Sequence, residues 1–524
     1  MALAFDRIIG IEAASCQVGL PEISLGLLPG YGGSGRAYAR MGLESAVTMV
    51  LSGRSVRAMD AVATGAIDHV VPDKEALFVG ARDAIAGKIA RKEPVACANP
   101  SAFIAQERAK VASRTRPENT PAPFAILDHY SHHDLNKDNM IKRETKLFSE
   151  LMMTPSSAGF RRVFQLNDMV KKGGRGEANV THIHVIGAGV MGGDIAAIAA
   201  MSGFHVTLQD LSAAAIDGAI SRAQSLYERR LKQPDKIAAT MANLIADVNG
   251  DGLSNADLLI EAVAEVPEIK KAVFTAAEKK MKAGSIMATN TSAIPLEDIA
   301  DALVDPSRLI GMHFFNPVPV LPLVEVIYTD ASNPDFVDRA MFVAGAMKKQ
   351  PIRCKSAPGF LVNRALLPYV FKAIDAVIDG ANADLIDQAL VRFGMPMGPI
   401  ELADQVGLDV CHDAGVVLGI SDASRTRLKA MIDAGTIGRK SGSGFYPWDE
   451  KKAIRERGEY DGAEMDAIAL EMLAPLVCEC QDAVAEGVVN SSDMADAACL
   501  FGVGFPPHTG GPLFWHEAMN AKSS

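Results

Sequence analysis

Residues 185–193 read Val-Ile-Gly-Ala-Gly-Val-Met-Gly-Gly, and an acid, Asp210, closes the next apolar run. Glycines at this spacing, set between an apolar run and a helical one, suit a strand, a tight turn and a helix. Residues 182–186 read as a strand, 194–201 as an Ala/Ile-rich helix and 204–208 as a second strand. In such a unit Gly187 makes the turn, Gly189 lets backbone approach a pyrophosphate, and Gly192 lets helix and strand pack closely. Val190 and Met191 fall at the helix N-terminus, where free N–H groups and the helix dipole favour negative charge. Asp210 is placed to accept hydrogen bonds from an adenosine ribose. Leu211 and Ser212 follow it, with no Arg to meet a 2′-phosphate, so the pattern predicts NAD over NADP. The plain alternative is an α/β turn that holds no nucleotide.

A chain of 524 residues exceeds one hydrophobic core, so three or more domains are expected. Hydrophobic content of 48% with 22% charged residues suits a soluble globular protein. The net charge of −11 argues against general nucleic-acid binding, though an anionic substrate needs only a local Lys/Arg patch. Seven cysteines without metal-type spacing read as reduced thiols of a cytoplasmic protein. No metal site is expected: His129, His132 and His133, beside Asp128 and Asp134, read as polar linker histidines. Met1 leads into Ala-Leu-Ala-Phe-Asp with no basic n-region, and no uninterrupted apolar run reaches membrane-spanning length.

The first hundred residues are Gly/Ala-rich with short apolar elements and end near Glu93-Pro94. A Pro- and His-containing stretch follows, with a charged amphipathic segment at 140–153, and Lys171-Lys-Gly-Gly-Arg-Gly176 reads as a flexible joint. From 178 to about 355 apolar runs at 258–264, 286–288 and 309–315 alternate with helical stretches, which predicts a mostly parallel sheet covered by helices. After Pro358 the pattern is helical, at 361–379, 383–393, 425–434 and 465–485. Within it Asp384-Leu-Ile-Asp387-Gln-Ala389, leading to Gly394-Met-Pro-Met-Gly-Pro399, is echoed by Asp493-Met-Ala-Asp496-Ala-Ala498, leading to Gly502-Val-Gly-Phe-Pro-Pro507. That echo suggests a duplicated helical unit.

Oxidising a hydroxyl requires a base near neutrality as hydride leaves the carbon, and His suits that task when a carboxylate orients it. His313 lies in Gly-Met-His-Phe-Phe-Asn-Pro-Val318 at the end of a predicted strand, and Glu325 sits in the apolar run Leu-Val-Glu-Val-Ile327. Asn290-Thr-Ser292 follows another strand, and Asn363 opens the first all-helical element. Carboxyl ends of strands in open α/β sheets are where ligands bind. Singly, each residue also fits a structural role: a core histidine, an ion pair, a helix cap and an interface hydrogen bond.

Together these runs resemble the L-3-hydroxyacyl-CoA dehydrogenases from Thr181 to about Pro447. The resemblance rests on the glycine turn, Ile260-Glu-Ala-Val-Ala-Glu265, Thr289-Asn-Thr-Ser-Ala-Ile294, His-Phe-Phe-Asn-Pro-Val and Leu-Val-Glu-Val-Ile. It continues through Ala357-Pro-Gly-Phe-Leu-Val-Asn-Arg364, Met397-Gly-Pro-Ile-Glu-Leu402 and Gly438-Arg-Lys-Ser-Gly442. It implies His313 as general base with Glu325 as partner, and Ser292 and Asn363 as groups that position the substrate's 3-hydroxyl and thioester. It also implies Glu265 and Lys270 near the nicotinamide side of the cofactor. The implied reaction takes an L-3-hydroxyacyl-CoA to the 3-ketoacyl-CoA, with NAD⁺ as oxidant.

The N-terminal piece is similar to the second half of an enoyl-CoA hydratase, or crotonase, domain. Its hallmark run is Val18-Gly-Leu-Pro-Glu-Ile-Ser-Leu-Gly-Leu-Leu-Pro-Gly-Tyr-Gly-Gly33, continued from Gly53-Arg54 to Pro72. Glu22 matches the second of the two glutamates such hydratases use. The first glutamate and the oxyanion-hole donors would precede Met1, so the chain as written is expected not to hydrate. With residues upstream of Met1 it is expected to be bifunctional, and an assembly role without catalysis is the third reading. In this order the pieces resemble the α-subunit type of bacterial multifunctional fatty-acid oxidation enzyme. The resemblance implies a thiolase subunit as partner and a homo-oligomer or larger complex.

The expected fold class is therefore α/β plus all-α. A partial crotonase-like domain spans 1–95, a partly helical linker 96–177 and a Rossmann NAD-binding domain 178–357. A helical 3-hydroxyacyl-CoA dehydrogenase C-terminal domain follows at 358–450, then a second, shortened helical repeat at 451–524.

Overall fold

The Gly/Ala-rich opening of the chain builds helices and very short strands. In this computed structural model, which describes residues 2–418 and 420–523, it belongs to the first of two compact units. Met1 and Ser524, the outer bounds of the expected first and last domains, lie outside the described residues. The first unit takes the chain up to Phe164 together with Pro507–Gly510, and the second takes Gln165–Pro506 with the residues from Gly511 onward.

In the first unit β1 (Ile9–Ile11), β2 (Gln17–Val18), α1 (Gly33–Ser52), β3 (Val56–Arg57), α2 (Ala58–Thr64), β4 (His69–Val71) and α3 (Ala76–Ile85) follow one another. β1 pairs in parallel with β4, and β2 antiparallel with β3. The helices α4 (Pro100–Ala112), α5 (Pro121–Tyr130) and α6 (Lys137–Met152) come from the stretch expected to be a linker. Instead they share one core with α1. Ile104, Ile126, Leu127, Met140 and Leu151 are buried together with Leu28, Met41 and Val47. Pro at the first turn of α4 and α5, and Asn99 and Asn136 capping α4 and α6, give these segments firm helix starts.

The histidine cluster also differs from the linker reading. His129 on α5 is buried, and its Nε2–H donates to Ser34 Oγ at 3.0 Å. Ser34 in turn donates to Glu144, whose carboxylate also accepts the N–H groups of Gly32 and Ser34 at the start of α1. A helix beginning buried needs such acceptors, and a glutamate from α6 supplies them. The joint expected at 171–176 is half helix: α7 (Pro155–Gly173) runs through it, with Lys171 and Lys172 in its last turn, where the helix dipole favours cations.

In the second unit, short apolar runs separated by helices leave one good solution, a sheet buried on both faces. Its strands are β5 (His182–Ile186), β6 (His205–Gln209), β7 (Leu244–Ala246), β8 (Leu258–Glu261), β9 (Ile286–Thr289), β10 (Leu309–Phe314), β11 (Leu323–Tyr328) and β12 (Gln350–Lys355). Their order is β12-β11-β10-β9-β8-β5-β6-β7, parallel throughout except between β10 and β11. The chain builds outward from β5 through β6 and β7, then returns to the other side at β8. That reversal leaves a crevice at the carboxyl ends of β5 and β8. Alternate residues of β8 enter different cores: Leu258 and Ile260 meet one helical layer, and Leu259 packs with Phe274 and Ile299 in the other. The connecting helices are α8 (Val190–Met201), α9 (Ala213–Leu231), α10 (Pro234–Met241), α11 (Pro267–Glu278), α12 (Leu296–Ala300) and α13 (Pro334–Ala346).

The rest is helical: α14 (Val362–Ile378), α15 (Ala383–Phe393), α16 (Pro399–Val406), α17 (Leu408–Leu418), α18 (Asp422–Asp433), α19 (Gly462–Ala485), α20 (Ser492–Ala498) and α21 (Pro512–Ser523). The sequence echo has a structural basis. Asp387 on α15 accepts the N–H groups of Ile400 and Glu401 at the start of α16. Asp496 on α20 does the same for Leu513 and Phe514 at the start of α21. Each capped helix opens Gly-Pro, and a Cβ on Gly398 or Gly511 would collide with the aspartate. Among the described residues no helix is long and apolar enough to cross a membrane, and no group of three or more His, Cys, Asp and Glu could hold a metal ion.

Burial, aided by the charges of Arg143 and His132, lowers the His129 pKa from 6.5 to about 4. Unfolding lets this imidazole bind a proton between those values, so stability of the first unit falls as pH drops from 6.5 to 4. The expected loss is about 2–3 kcal/mol. Proteolysis-detected urea unfolding of the first unit should show this slope in the wild type and a flatter one in His129→Gln. An unchanged slope in the variant would contradict the assignment.

Candidate active site

The glycine turn has the division of labour expected of it. Gly187 holds φ +105°, and a Cβ there would strike the backbone of Ala262; a Cβ on Gly192 would strike the Gly187 carbonyl. Gly189 faces open space, and no side chain caps α8, so its first N–H groups point toward the crevice. A cavity of about 510 Å³ lies there, lined by Gly189, Asp210, Leu211, Val263, Val273 and Lys280 among others. Val190 and Met191 form the first turn of α8 over it. Asp210 receives the N–H of Ala188 at 2.7 Å on one oxygen and that of Ser212 at 2.9 Å on the other. It therefore braces the glycine turn while keeping lone pairs for ribose hydroxyls. Apolar walls, one carboxylate and an open helix N-terminus fit a dinucleotide such as NAD.

His313 and Glu325 meet because of strand register. They are opposed partners in the antiparallel β10–β11 pair, so their side chains share one face of the sheet. His313 Nδ1–H donates to Glu325 Oε2 at 2.7 Å, which leaves the Nε2 lone pair free. Glu325 is fully buried, and its other oxygen accepts the N–H groups of Leu361 and Val362 at 3.1 and 2.9 Å. These begin α14, so the helix dipole and two donors stabilise the buried carboxylate. The rings of Phe315 and Phe360 stand 4.3 and 6.0 Å from the imidazole. The result is an oriented imidazole in a partly apolar setting.

Ser292 and Asn363 are also brought together. Asn363 Nδ2 donates to the Ser292 carbonyl at 2.9 Å, joining the loop after β9 to the start of α14. Glu265 holds the same loop: its Oε1 accepts the Ser292 N–H at 2.6 Å and the Ser292 hydroxyl at 3.1 Å. Lys270 Nζ lies 3.2 Å from Glu265 Oε2. Burial alone would raise the Glu265 carboxyl, but Lys270 and the hydrogen bonds from Thr291 and Ser292 outweigh it and hold the group below the usual glutamate range.

One acid in this cluster escapes a reading of the sequence. Glu261 ends β8, is fully buried, and accepts Lys270 Nζ at 2.9 and 3.2 Å. A lone Glu closing Leu-Leu-Ile-Glu, with a Lys nine residues on, is the available signal. A second cavity, of about 650 Å³, is equally unforeseen. Arg222, Arg229 and Arg230 line it with Pro317, Pro319 and Val320, shortly after His313 in the chain. In the first unit, considered by itself, Glu22 lies in a 3₁₀ turn at Pro21–Leu25, half-buried, with Oε2 buried and unpartnered.

Comparison with known proteins agrees with this geometry. Residues 182–357 match the NAD-binding domain of the 3-hydroxyacyl-CoA dehydrogenase family, and residues 359–448 its C-terminal domain. Residues 1–148 match the enoyl-CoA hydratase/isomerase family. The fatty acid oxidation complex subunit alpha of Pseudomonas syringae is 34% identical over 564 residues, an alignment covering 99% of this chain and 77% of that protein. The same-named subunit of Shewanella loihica is 31% identical, over 100% of this chain and 79% of its own. Among solved structures, a 3-hydroxybutyryl-CoA dehydrogenase from Escherichia coli aligns with a TM-score of 0.58 at 28% identity, over 65% of this chain and 92% of that one. The chain belongs to the fatty acid oxidation complex alpha-subunit family and carries the two domains of an NAD-dependent 3-hydroxyacyl-CoA dehydrogenase.

Proposed function

We propose that His313 is the general base of the dehydrogenase, acting on the 3-hydroxyl of an L-3-hydroxyacyl-CoA. The observation that carries this reading is the 2.7 Å bond from His313 Nδ1 to Glu325. It fixes the tautomer, points Nε2 away from the carboxylate, and supports the imidazolium formed when the hydroxyl proton reaches Nε2. The glycine turn, the start of α8 and Asp210 would hold NAD⁺, which would supply the oxidant that accepts the hydride from C3. Ser292 and Asn363 hold the hydroxyl and the thioester carbonyl, and Glu265 with Lys270 sets the loop between them and the cofactor crevice. The three arginines of the second cavity offer cations of the kind a coenzyme A phosphate needs.

The relatives are by name alpha subunits of a complex, which supports a partner subunit. A thiolase, which cleaves 3-ketoacyl-CoA, suits the product. All seven cysteines are free, which supports a reducing, cytoplasmic setting.

NADH formation from L-3-hydroxybutyryl-CoA and NAD⁺, followed by absorbance, tests the base. His313→Ala should lower kcat/KM by about 10²- to 10⁴-fold. Wild-type turnover in that variant would contradict the role.

A second reading adds hydration of a 2-enoyl-CoA. It is favoured by the unpartnered carboxylate oxygen of Glu22 within a hydratase-family match, and it stands against the expectation drawn from sequence. Loss of conjugated-thioester absorbance with crotonyl-CoA, abolished in Glu22→Gln, would support it. No hydration by protein that still forms NADH would contradict it.

A further inference from the structure

Glu261 has a place in the site that no role described so far explains. Its carboxylate, 0% exposed, accepts four hydrogen bonds from three donors in three parts of the fold. Oε1 accepts the Val263 N–H at 2.7 Å, from the loop that walls the cofactor cavity. Oε2 accepts the Thr289 hydroxyl at 2.7 Å, at the end of β9. Both oxygens accept Lys270 Nζ, itself 1% exposed and also 3.2 Å from Glu265.

One ammonium is thus shared by two carboxylates with different duties. Glu265 uses its remaining oxygen to hold the backbone and hydroxyl of Ser292, and the Ser292 carbonyl receives Asn363. A buried ammonium left with a single carboxylate approaches it as closely as sterics allow, because the low-dielectric interior strengthens the attraction. With Glu261 present, Lys270 is drawn away from Glu265, whose Oε1 stays on the Ser292 loop. With a neutral residue at 261, Lys270 moves onto Glu265 and pulls its carboxylate off that loop. The Glu261 carboxylate also clamps Val263, so the cofactor wall and the substrate loop share one anchor.

Building on the dehydrogenase reading above, we propose that Glu261 is a positioning residue. It holds Ser292 in register with the bound cofactor through Lys270 and Glu265.

The test is a double-mutant cycle in the full chain, with kcat and KM for L-3-hydroxybutyryl-CoA and NADH affinity from nucleotide fluorescence. Glu261→Gln removes the charge and keeps one acceptor oxygen, for the Val263 N–H, while its amide NH2 can donate to the Thr289 hydroxyl oxygen. It should lower kcat by about 10- to 100-fold, the range expected for a misplaced substrate group. NADH affinity should stay within about threefold, close to the scatter of independent sites. In a Ser292→Ala background the same change should cost less than about threefold, because the group it positions is already gone.

Thr289→Val, which removes one hydrogen bond and no charge, should act in the same direction more weakly. It serves as the readout if Glu261→Gln does not fold. Equal losses of kcat in the wild-type and Ser292→Ala backgrounds, or no loss in either variant, would overturn the proposal. An inactive wild type would instead mean that the dehydrogenase reading has failed.

Discussion

The buried carboxylate of Glu325 joins three parts of the dehydrogenase. One oxygen receives His313, the proposed base, and the other receives the first N–H groups of α14. An ionised carboxylate in this interior is tolerable only with such partners, so its presence ties the strand pair to the helix. The antiparallel β10–β11 step, the single departure from a parallel sheet, makes the pairing possible. Strand register puts His313 opposite Glu325, and the next residue along α14 is Asn363. The carboxylate that orients the proposed base therefore also fixes the start of α14, where Asn363 lies.

The rest of the site lies along one sheet edge for a topological reason. β8, β9 and β10 run parallel, with Glu261 beside Thr289 and Thr289 beside Gly311, from which β10 runs on to His313 and Phe314. The chain reversal between β5 and β8 opens the crevice beside it, where Gly189 and the uncapped start of α8 face open space. The loop that walls the cofactor crevice and the loop that carries Ser292 are consequently neighbours. A short network of Glu261, Lys270 and Glu265 is enough to connect them.

Much of this is legible from sequence, but unevenly. The glycine turn and Asp210 are readable because each glycine answers a separate steric demand. The helical echo is readable because its aspartates recur, but the second Gly-Pro start is Gly511-Pro512, beyond the run 502–507 read as the echo. The strands legible in the sequence have bounds within a residue or two, except that the apolar run at 258–264 stops being strand at Glu261, where the side chain turns to Lys270; β7 and β12 escape that reading. The stretch at 96–177 misleads because prolines and histidines look like linker chemistry. In the fold the prolines start helices, and His129 is buried against Ser34. Glu261 stays hidden because a buried acid becomes visible only once its cation, donated by a separate helix, is known. The arginine-lined cavity stays hidden because helical spacing alone makes such residues look like a solvated face.

The most direct test of the central claim is a second double-mutant cycle, on His313 and Glu325. If the cross-strand pair acts as one unit, Glu325→Ala and His313→Ala should each lower kcat/KM steeply. The double variant should then lose little beyond the worse of the two. Losses that multiply in the double variant would mean that the two residues act independently, and the account of a base oriented by strand register would fail.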